Sequence, residues 1–452
     1  MLSQIIFILL TLSTIFYAFI LYKNIVSNIN LGGELKLEGP RSWRWKQVIF
    51  IALGQKKMFT NWTAAIFHLF IYVAFIITQI ELIEIFADGL FGYHRFFAPY
   101  LGLFYTIVIS SIEILSVLAL IATVVFLSRR NLLKVPRFWS AEMKGWPFRD
   151  GNLILLGEIL LITAIFSMNG ADHILQERLP ETYHQAGPFA VSQFMGPVLF
   201  DGLSNTWLIF FERFGWWLHI IVVYGFIIYL PFSKHLHLIF AFPNTYFTPY
   251  KQRGVMDDIP IITNEIKSML GLQIEQTDSA LENEEIPEFG AKDVTGLNWK
   301  NILDAYTCTE CGRCTSACPP NQTGKNLSPR KIVMSVRDRA EEVGKQIRKG
   351  NLEFIDPAYT GDKTKLTKDN FTDGKSLFDL IAKDEINACT SCNACVEACP
   401  VLIDPLDMIL QMRRYEVLTM AQGPQDWITM FTNLENGGSV WQMQNGREDW
   451  SK

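Results

Sequence analysis

All eight cysteines of this 452-residue chain lie at or beyond Cys308, and their spacing is its strongest chemical signal. Cys308, Cys311, Cys314 and Cys318, followed by Pro319, read C-x2-C-x2-C-x3-C-P; Cys389, Cys392, Cys395 and Cys399, followed by Pro400, repeat the pattern. Three thiolates so closely spaced wrap one face of a cubane, while the chain carries the fourth away to the other cluster of a two-cluster ferredoxin. The spacing predicts two [4Fe–4S] clusters. One is placed on Cys308, Cys311, Cys314 and Cys399, the other on Cys389, Cys392, Cys395 and Cys318. Zinc prefers ligands in separated pairs, and a secreted disulfide framework scatters its cysteines; neither fits two tight runs with none left over.

A second set of residues lies in the apolar half. In WWLHIIVVYGFIIYLPFSKHLH, Trp216 to His237, two histidines stand eighteen residues apart. On an uninterrupted helix that is roughly 27 Å and five whole turns. His219 and His237 then point the same way at nearly opposite membrane faces, and His235 points roughly the other way. An isolated membrane histidine usually hydrogen-bonds a neighbouring helix. Two in phase across a bilayer ask for more. Bis-histidine haem needs a second imidazole from another helix, and His68 in NWTAAIFHLFIYVAF lies at a level compatible with His237.

The elements that must position these groups follow from composition. The chain is 49% hydrophobic with a mean hydropathy of +0.17, high for a soluble protein and low for one that is all membrane. A membrane half joined to a soluble half satisfies both. Apolar spans run from Ile5 to Tyr22, about Trp62 to Phe86, Tyr100 to Leu127, Leu153 to Met168 and Phe214 to Phe232. The first has no basic residue before it and Lys23 after it, so it reads as a retained helix and not a signal peptide. The first connection holds Lys23, Lys36, Arg41, Arg44, Lys46, Lys56 and Lys57, and the third is similarly basic; the second offers only Arg95. By the positive-inside rule the N-terminus is outside and everything after the fifth helix is cytoplasmic. This places a multi-pass protein in a prokaryotic inner membrane, its cysteines in a reducing compartment.

Four regions follow: a membrane domain over 1–245, an acidic connector over 246–295, a dicluster ferredoxin domain over 296–418 and a tail over 419–452. The connector carries Glu282, Glu284, Glu285 and Glu288 and one short helix near Ile266, and reads as a solvated surface. Ser328-Pro329 and Asp404-Pro405 each open a helix, with an N-cap side chain and proline at the first helical position. The insert from about Gly350 to Asp373 is polar and reads as loop. Strand-like alternation is scarce, so the fold class is all-α. Trp427, Trp441 and Trp450 make the tail a candidate partner surface. A net charge of −5 without a basic tract excludes a nucleic-acid partner, and no G-x-G-x-x-G argues for a nicotinamide or flavin.

CTECGRCTSACP, NLSPRKIV and CTSCNACVEACP, with Met412 to Arg414, resemble the dicluster iron–sulfur subunit of heterodisulfide reductase and the iron–sulfur domain of membrane-bound oxidoreductases that serve electron-transfer flavoproteins. This resemblance implies two-cluster wiring to a separate cysteine-rich or flavoprotein redox subunit in the cytoplasm. IFHLFIYV and WLHIIVVYGFIIYLPFSKHLH resemble the second and fifth helices of the gamma subunit of respiratory nitrate reductase, a five-helix dihaem cytochrome b. That resemblance implies a haem b on the cytoplasmic side held by His68 and His237. In the gamma subunit a second histidine follows ten residues after the first; here that position is Thr78, which cannot ligate iron. The partner of His219 in a second haem is therefore open: His173 and His94 are candidates, and His219 contacting a quinone or simply packing are alternatives.

The expected function is transfer of electrons between the quinone pool and a cytoplasmic redox partner through haem b and two [4Fe–4S] clusters. Two alternatives belong to other classes: a reductase subunit for a heterodisulfide or sulfur compound, which needs a substrate site near the clusters, and a non-catalytic membrane anchor and docking module. Intramembrane acids Glu81, Glu84, Glu113 and Glu158 mark a proton path, a quinol site or polar pairing inside the bundle.

Overall fold

A computed structural model describes residues 1–251, 254–272, 288–441 and 451. Glu282, Glu284, Glu285 and Trp450 lie outside the described residues. The architecture is all-α: among the described residues the only strand-like pairings are two isolated bridges, Gly33 with Asn298 and Ile355 with Phe371.

Five helices are long and apolar enough to cross a membrane: α1 (Leu2–Ile29), α2 (Trp62–Phe91), α3 (Leu103–Asn131), α4 (Trp146–Arg178) and α5 (Asn205–Tyr229). The first, second and fourth contain their apolar runs and extend beyond them; α3 begins three residues later than Tyr100, and α5 ends three residues before Phe232. Two compact units divide the chain. The first comprises Met1–Ser27, Trp45–Thr245 and Tyr306–Gly312; the second comprises Asn28–Arg44, Tyr246–Ala305 and Arg313–Lys452.

The first unit is a helix bundle in which α4 and α5 pack closely. Gly215 makes it possible, because a Cβ there would stand 2.6 Å from the Ala164 carbonyl oxygen. Small residues at such crossings bring helix backbones together where lipid supplies no hydrophobic drive. Phe7, Ile85, Met168, Trp216, Ile220 and Tyr224 tie α1, α2, α4 and α5 into one apolar cluster.

The fifth span does not continue to His237 as one helix. α5 ends at Tyr229, a 3-10 turn covers Leu230–Phe232, Ser233 is extended, and a second 3-10 turn covers Lys234–Leu236 before α6 (His237–Tyr246) begins. Pro231 explains the break: it lacks the amide hydrogen that the helix would use and crowds the preceding turn. The in-phase relation of His219 and His237 therefore fails, since it assumed an unbroken helix.

In the second unit α7 (Pro260–Met269) is the short helix near Ile266. α8 (Trp299–Thr307) precedes the first cysteine motif, and α9 (Arg313–Ala317) lies within it. α10 (Pro329–Lys349) starts at Ser328, whose hydroxyl accepts the Lys331 amide hydrogen, and stops at Gly350 in the left-handed region. Its buried Ile332, Val333, Val336, Ala340 and Val343 repeat at helical spacing along one face. α11 (Ala394–Ala398) sits in the second motif, α12 (Pro405–Arg414) is capped by the Asp404 carboxylate through the Asp407 amide, and α13 (Gln425–Gly437) follows. Both capped starts match the sequence expectation. The insert holds one 3-10 turn, Leu352–Phe354, and a single bridge.

Candidate redox site

The two cysteine motifs share a backbone design. Glu310 and Gly312 in the first have φ of 52° and 73°; Ser391 and Asn393 in the second have 54° and 60°. Left-handed residues at the second and fourth places after the leading cysteine fold the chain back on its own sulfur. The Glu310 amide points at Cys308 Sγ and the Ser391 amide at Cys389 Sγ, each at 3.4 Å. The Ile403 amide likewise donates to Cys399 Sγ at 3.3 Å. Backbone N–H groups aimed at cysteine sulfurs are the environment that stabilises cluster thiolates and tunes their potential. Glu310 and Ser391 pay a conformational penalty there that only a fixed surrounding structure sustains.

Within the second unit the fourth cysteine of the first motif meets the second motif. Burial raises the Cys318 thiol, and the neighbouring Cys389 and Cys392 raise it further. Cys395 is raised by burial, then by Asp404, Cys389 and Cys318. These four sulfurs feel one another, as an exchange of fourth ligands requires. A buried thiol resists ionisation, and iron, which binds the thiolate, supplies the charge that reverses this. The donor set therefore suits an iron–sulfur cluster. Cys308 and Cys311 belong to the first unit, Cys314 and Cys399 to the second. Among the described residues no three histidine, cysteine, aspartate or glutamate side chains are grouped to hold a single metal ion.

In the first unit the helix break gathers three imidazoles. His235 and His237 have ring centroids 5.5 Å apart. Burial, then the proximity of His237 and of His68, holds the His235 ring neutral, its pKa lowered to about 3. His68 Nδ1 lies 3.1 Å from Gln55 Oε1, and His237 Nδ1 lies 2.8 Å from the Lys234 carbonyl oxygen. An imidazole engaged through Nδ1 by an oxygen is oriented to ligate through Nε2, an arrangement common at metal sites. These rings fit a haem ligand set. His235 is the residue that sequence spacing sent the wrong way, and the nearby Pro231 was the available signal of a break.

His219 stands elsewhere. Its buried ring lies beside the backbone of Leu161 on α4, and its Nδ1 has no hydrogen-bond partner. His173 is twelve residues beyond Leu161 along α4, about 18 Å at helical rise, and approaches Glu177 at 4.0 Å. His94 pairs with Asp172 at 3.0 Å. The structure thus brings neither candidate partner to His219.

At that end of the bundle, the Arg95 guanidinium donates to Asp172 (2.6 Å), Tyr105 (2.9 Å) and Asn169 (2.8 Å), and Tyr105 donates to Glu84 at 2.6 Å. Glu113 accepts from the Ser192 hydroxyl and from the Val191 and Ser192 amides at 2.7 and 3.0 Å. Glu84 and Glu113 are thus members of a polar pairing network. At the other end Lys234 joins the histidine segment to the first motif: its ammonium pairs with Glu310, lies 3.8 Å from Asp150 and donates to the Pro147 carbonyl at 2.6 Å.

Residues 304–403 match the family described as 4Fe-4S dicluster domain. Across 99% of its length the chain is 26% identical to the probable iron-sulfur-binding oxidoreductase FadF of Bacillus subtilis (strain 168), covering 60% of that protein. It is 26% identical over 91% of its length to the EtfAB:quinone oxidoreductase of Syntrophomonas wolfei, covering 54%. Over 36% of its length it is 26% identical to a probable membrane-anchored ferredoxin of Chromohalobacter salexigens, covering 24%. The chain spans less than two thirds of each of these relatives. No solved structure matches. The dicluster match, the named relatives and the five apolar helices support an iron–sulfur electron-transfer role in a membrane protein.

Proposed function

We propose that this chain is a membrane-bound electron-transfer subunit that exchanges electrons between the quinone pool and a cytoplasmic redox partner. Five spans set in an inner membrane, N-terminus outside, hold a haem b between His68 and His237, and the ferredoxin region holds two [4Fe–4S] clusters on the swapped quartets. The observation that carries the reading is the gathering of His68, His235 and His237 at one end of an apolar bundle, in a chain whose Cys318 meets Cys389, Cys392 and Cys395. Haem and clusters supply one-electron carriers, which suit the stepwise chemistry of quinone.

The protein's own residues do the rest. Gln55 and the Lys234 carbonyl orient two of the rings, and the Glu310, Ser391 and Ile403 amides bias three sulfurs towards thiolate. Lys234 ties the histidine segment to the loop between Cys308 and Cys311. The resemblance of the membrane half to nitrate reductase gamma supports the haem. A relative named EtfAB:quinone oxidoreductase supports quinone on one side and a flavoprotein on the other.

Purified, cluster-loaded protein should show b-type absorption and about eight irons beyond haem, as two cubanes require. No b-type bands and only trace iron would end the reading. His68→Ala and His237→Ala should each abolish the b-type bands while His235→Ala retains them; the reverse for His235 and His237 would move the ligand by two residues.

A further inference from the structure

We propose that Glu81 is the carboxylate that exchanges protons with the quinone reaction, through a water held between it and Trp216. The inference rests on the quinone reading above and adds where its protons pass.

Glu81 lies in α2 with 2% of its surface exposed, and neither carboxylate oxygen has a hydrogen-bond partner. The acids around it differ. Glu84 accepts from Tyr105 and the Phe97 amide, Glu113 from Ser192 and Val191, Asp172 from Arg95, and Glu212 from Arg213. The indole Nε1 of Trp216 is likewise buried without a partner. Glu81 and Trp216 line one small cavity together with Glu84, His94, Arg95 and Glu212, with about 10 Å³ of room. That is about the space of one water and far too little for a quinone ring.

A buried carboxyl with no partner persists only as the neutral acid or against a water. Arg95 and Glu84 line the same cavity as Glu81, so groups of both charge types stand beside this uncommitted carboxyl. His219, one turn beyond Trp216 on α5, carries another buried nitrogen without a partner. Unsatisfied polar atoms therefore occur on Glu81 and Trp216 and, at the mid-depth marked by Leu161, on His219.

The balance is that of the quinone couple: quinone takes two electrons and two protons to give quinol, and the reverse returns them. The electrons are those of the proposed relay. Glu81 passes the protons one at a time and is reloaded, or discharged, through water from the face that the basic loops place outside.

The test uses the full chain in detergent, with its clusters reduced by dithionite and then mixed rapidly with menadione or, separately, with ferricyanide, which takes electrons without protons. Glu81→Gln should slow oxidation by menadione about a hundredfold, the scale of a lost proton-transfer group, and leave the ferricyanide rate unchanged; Glu81→Asp should recover part of the loss. Menadione oxidation as fast in Glu81→Gln as in the unaltered chain overturns the Glu81 proposal and leaves the quinone reading intact. Failure of the unaltered chain to react with menadione overturns both. Should Glu81→Gln fail to assemble, redox-difference infrared spectra of the unaltered chain decide: a carboxylic C=O band that changes on menadione addition and shifts in D2O supports the proposal, and its absence overturns it.

Discussion

Replacing Lys234 with methionine should loosen the segment that carries the first two cysteines. The ammonium sits between Glu310, 3% exposed, and Asp150, 2% exposed, 3.8 Å from the latter. At an effective dielectric near 20, one such pair at that distance is worth about 4 kcal/mol before desolvation. Removing one partner of a buried pair costs about 3–5 kcal/mol, because the remaining charge stays buried. Asp150 keeps the Tyr229 hydroxyl at 2.6 Å and the Lys234 amide at 3.0 Å, so the loss falls chiefly on Glu310. Glu310 lies between Cys308 and Cys311. A loss of about 3 kcal/mol is about a hundredfold in a local opening constant, read as faster hydrogen exchange of the Tyr306–Gly312 amides in the detergent-solubilised protein. Glu310→Gln should weaken the same segment, and the double variant should be milder than the two losses added. Unchanged exchange in Lys234→Met, or strict additivity in the double variant, would refute the coupling.

Cys318→Ser should remove the electron paramagnetic resonance signal of the cluster assigned to the second motif and spare the other, whereas Cys399→Ser should do the opposite; each serine removing the cluster of its own motif would dismiss the swapped pairing. Arg339 is 1% exposed and donates to Asp293, Asp373 and Glu342. Burial pushes Asp373 up, and the Arg339 guanidinium outweighs it, holding the carboxyl below its usual value. A depressed carboxylate stabilises above its unfolded value near 4 and loses that contribution as pH falls through its folded value. The denaturation midpoint of the unaltered protein should therefore exceed that of Arg339→Met by most near pH 6, with the gap narrowing below about pH 4; a gap that widens on acidification contradicts the assignment. Gly290 has φ of +79°, and a Cβ there would stand 2.2 Å from the Gln411 carbonyl oxygen. Gly290→Ala should cost at least about 1–3 kcal/mol, seen as a lower denaturation midpoint, while Gly324→Ala, in open space, should cost less.

What sequence revealed was local, and what it hid was either long-range or a backbone break. The caps at Ser328 and Asp404 depend on three adjacent residues and were legible. So was the cysteine spacing, because a tight run needs no tertiary information. The left-handed turns were half legible: Gly312 and Asn393 are residue types that accept positive φ, but Glu310 and Ser391 give no such sign. The Arg95 network joins residues 74 and 77 positions apart, and Glu113 meets Ser192 across 79. No periodicity reports such pairs. Glu81 could be named as a buried acid from its place in an apolar run, yet only the bundle shows that its neighbours leave it unpartnered.

The break at Pro231 bears most on how the histidines are interpreted. On a continuous helix His235 and His237 would diverge by about 200°, and eighteen residues would align His219 with His237. Two short 3-10 turns and one extended residue abolish both relations: His235 comes beside His237, and the alignment with His219 loses its basis. Two haems on one face need that alignment and a second ligand for His219. Thr78 stands where the ligand would be, His94 is paired with Asp172, and His173 lies about 18 Å along α4 from the level of His219. A relay with one haem needs neither condition. On the proposed one-haem reading, His219, with its unpartnered nitrogen one turn from Trp216, stands at the depth of Leu161, between the three gathered histidines and the Arg95 network.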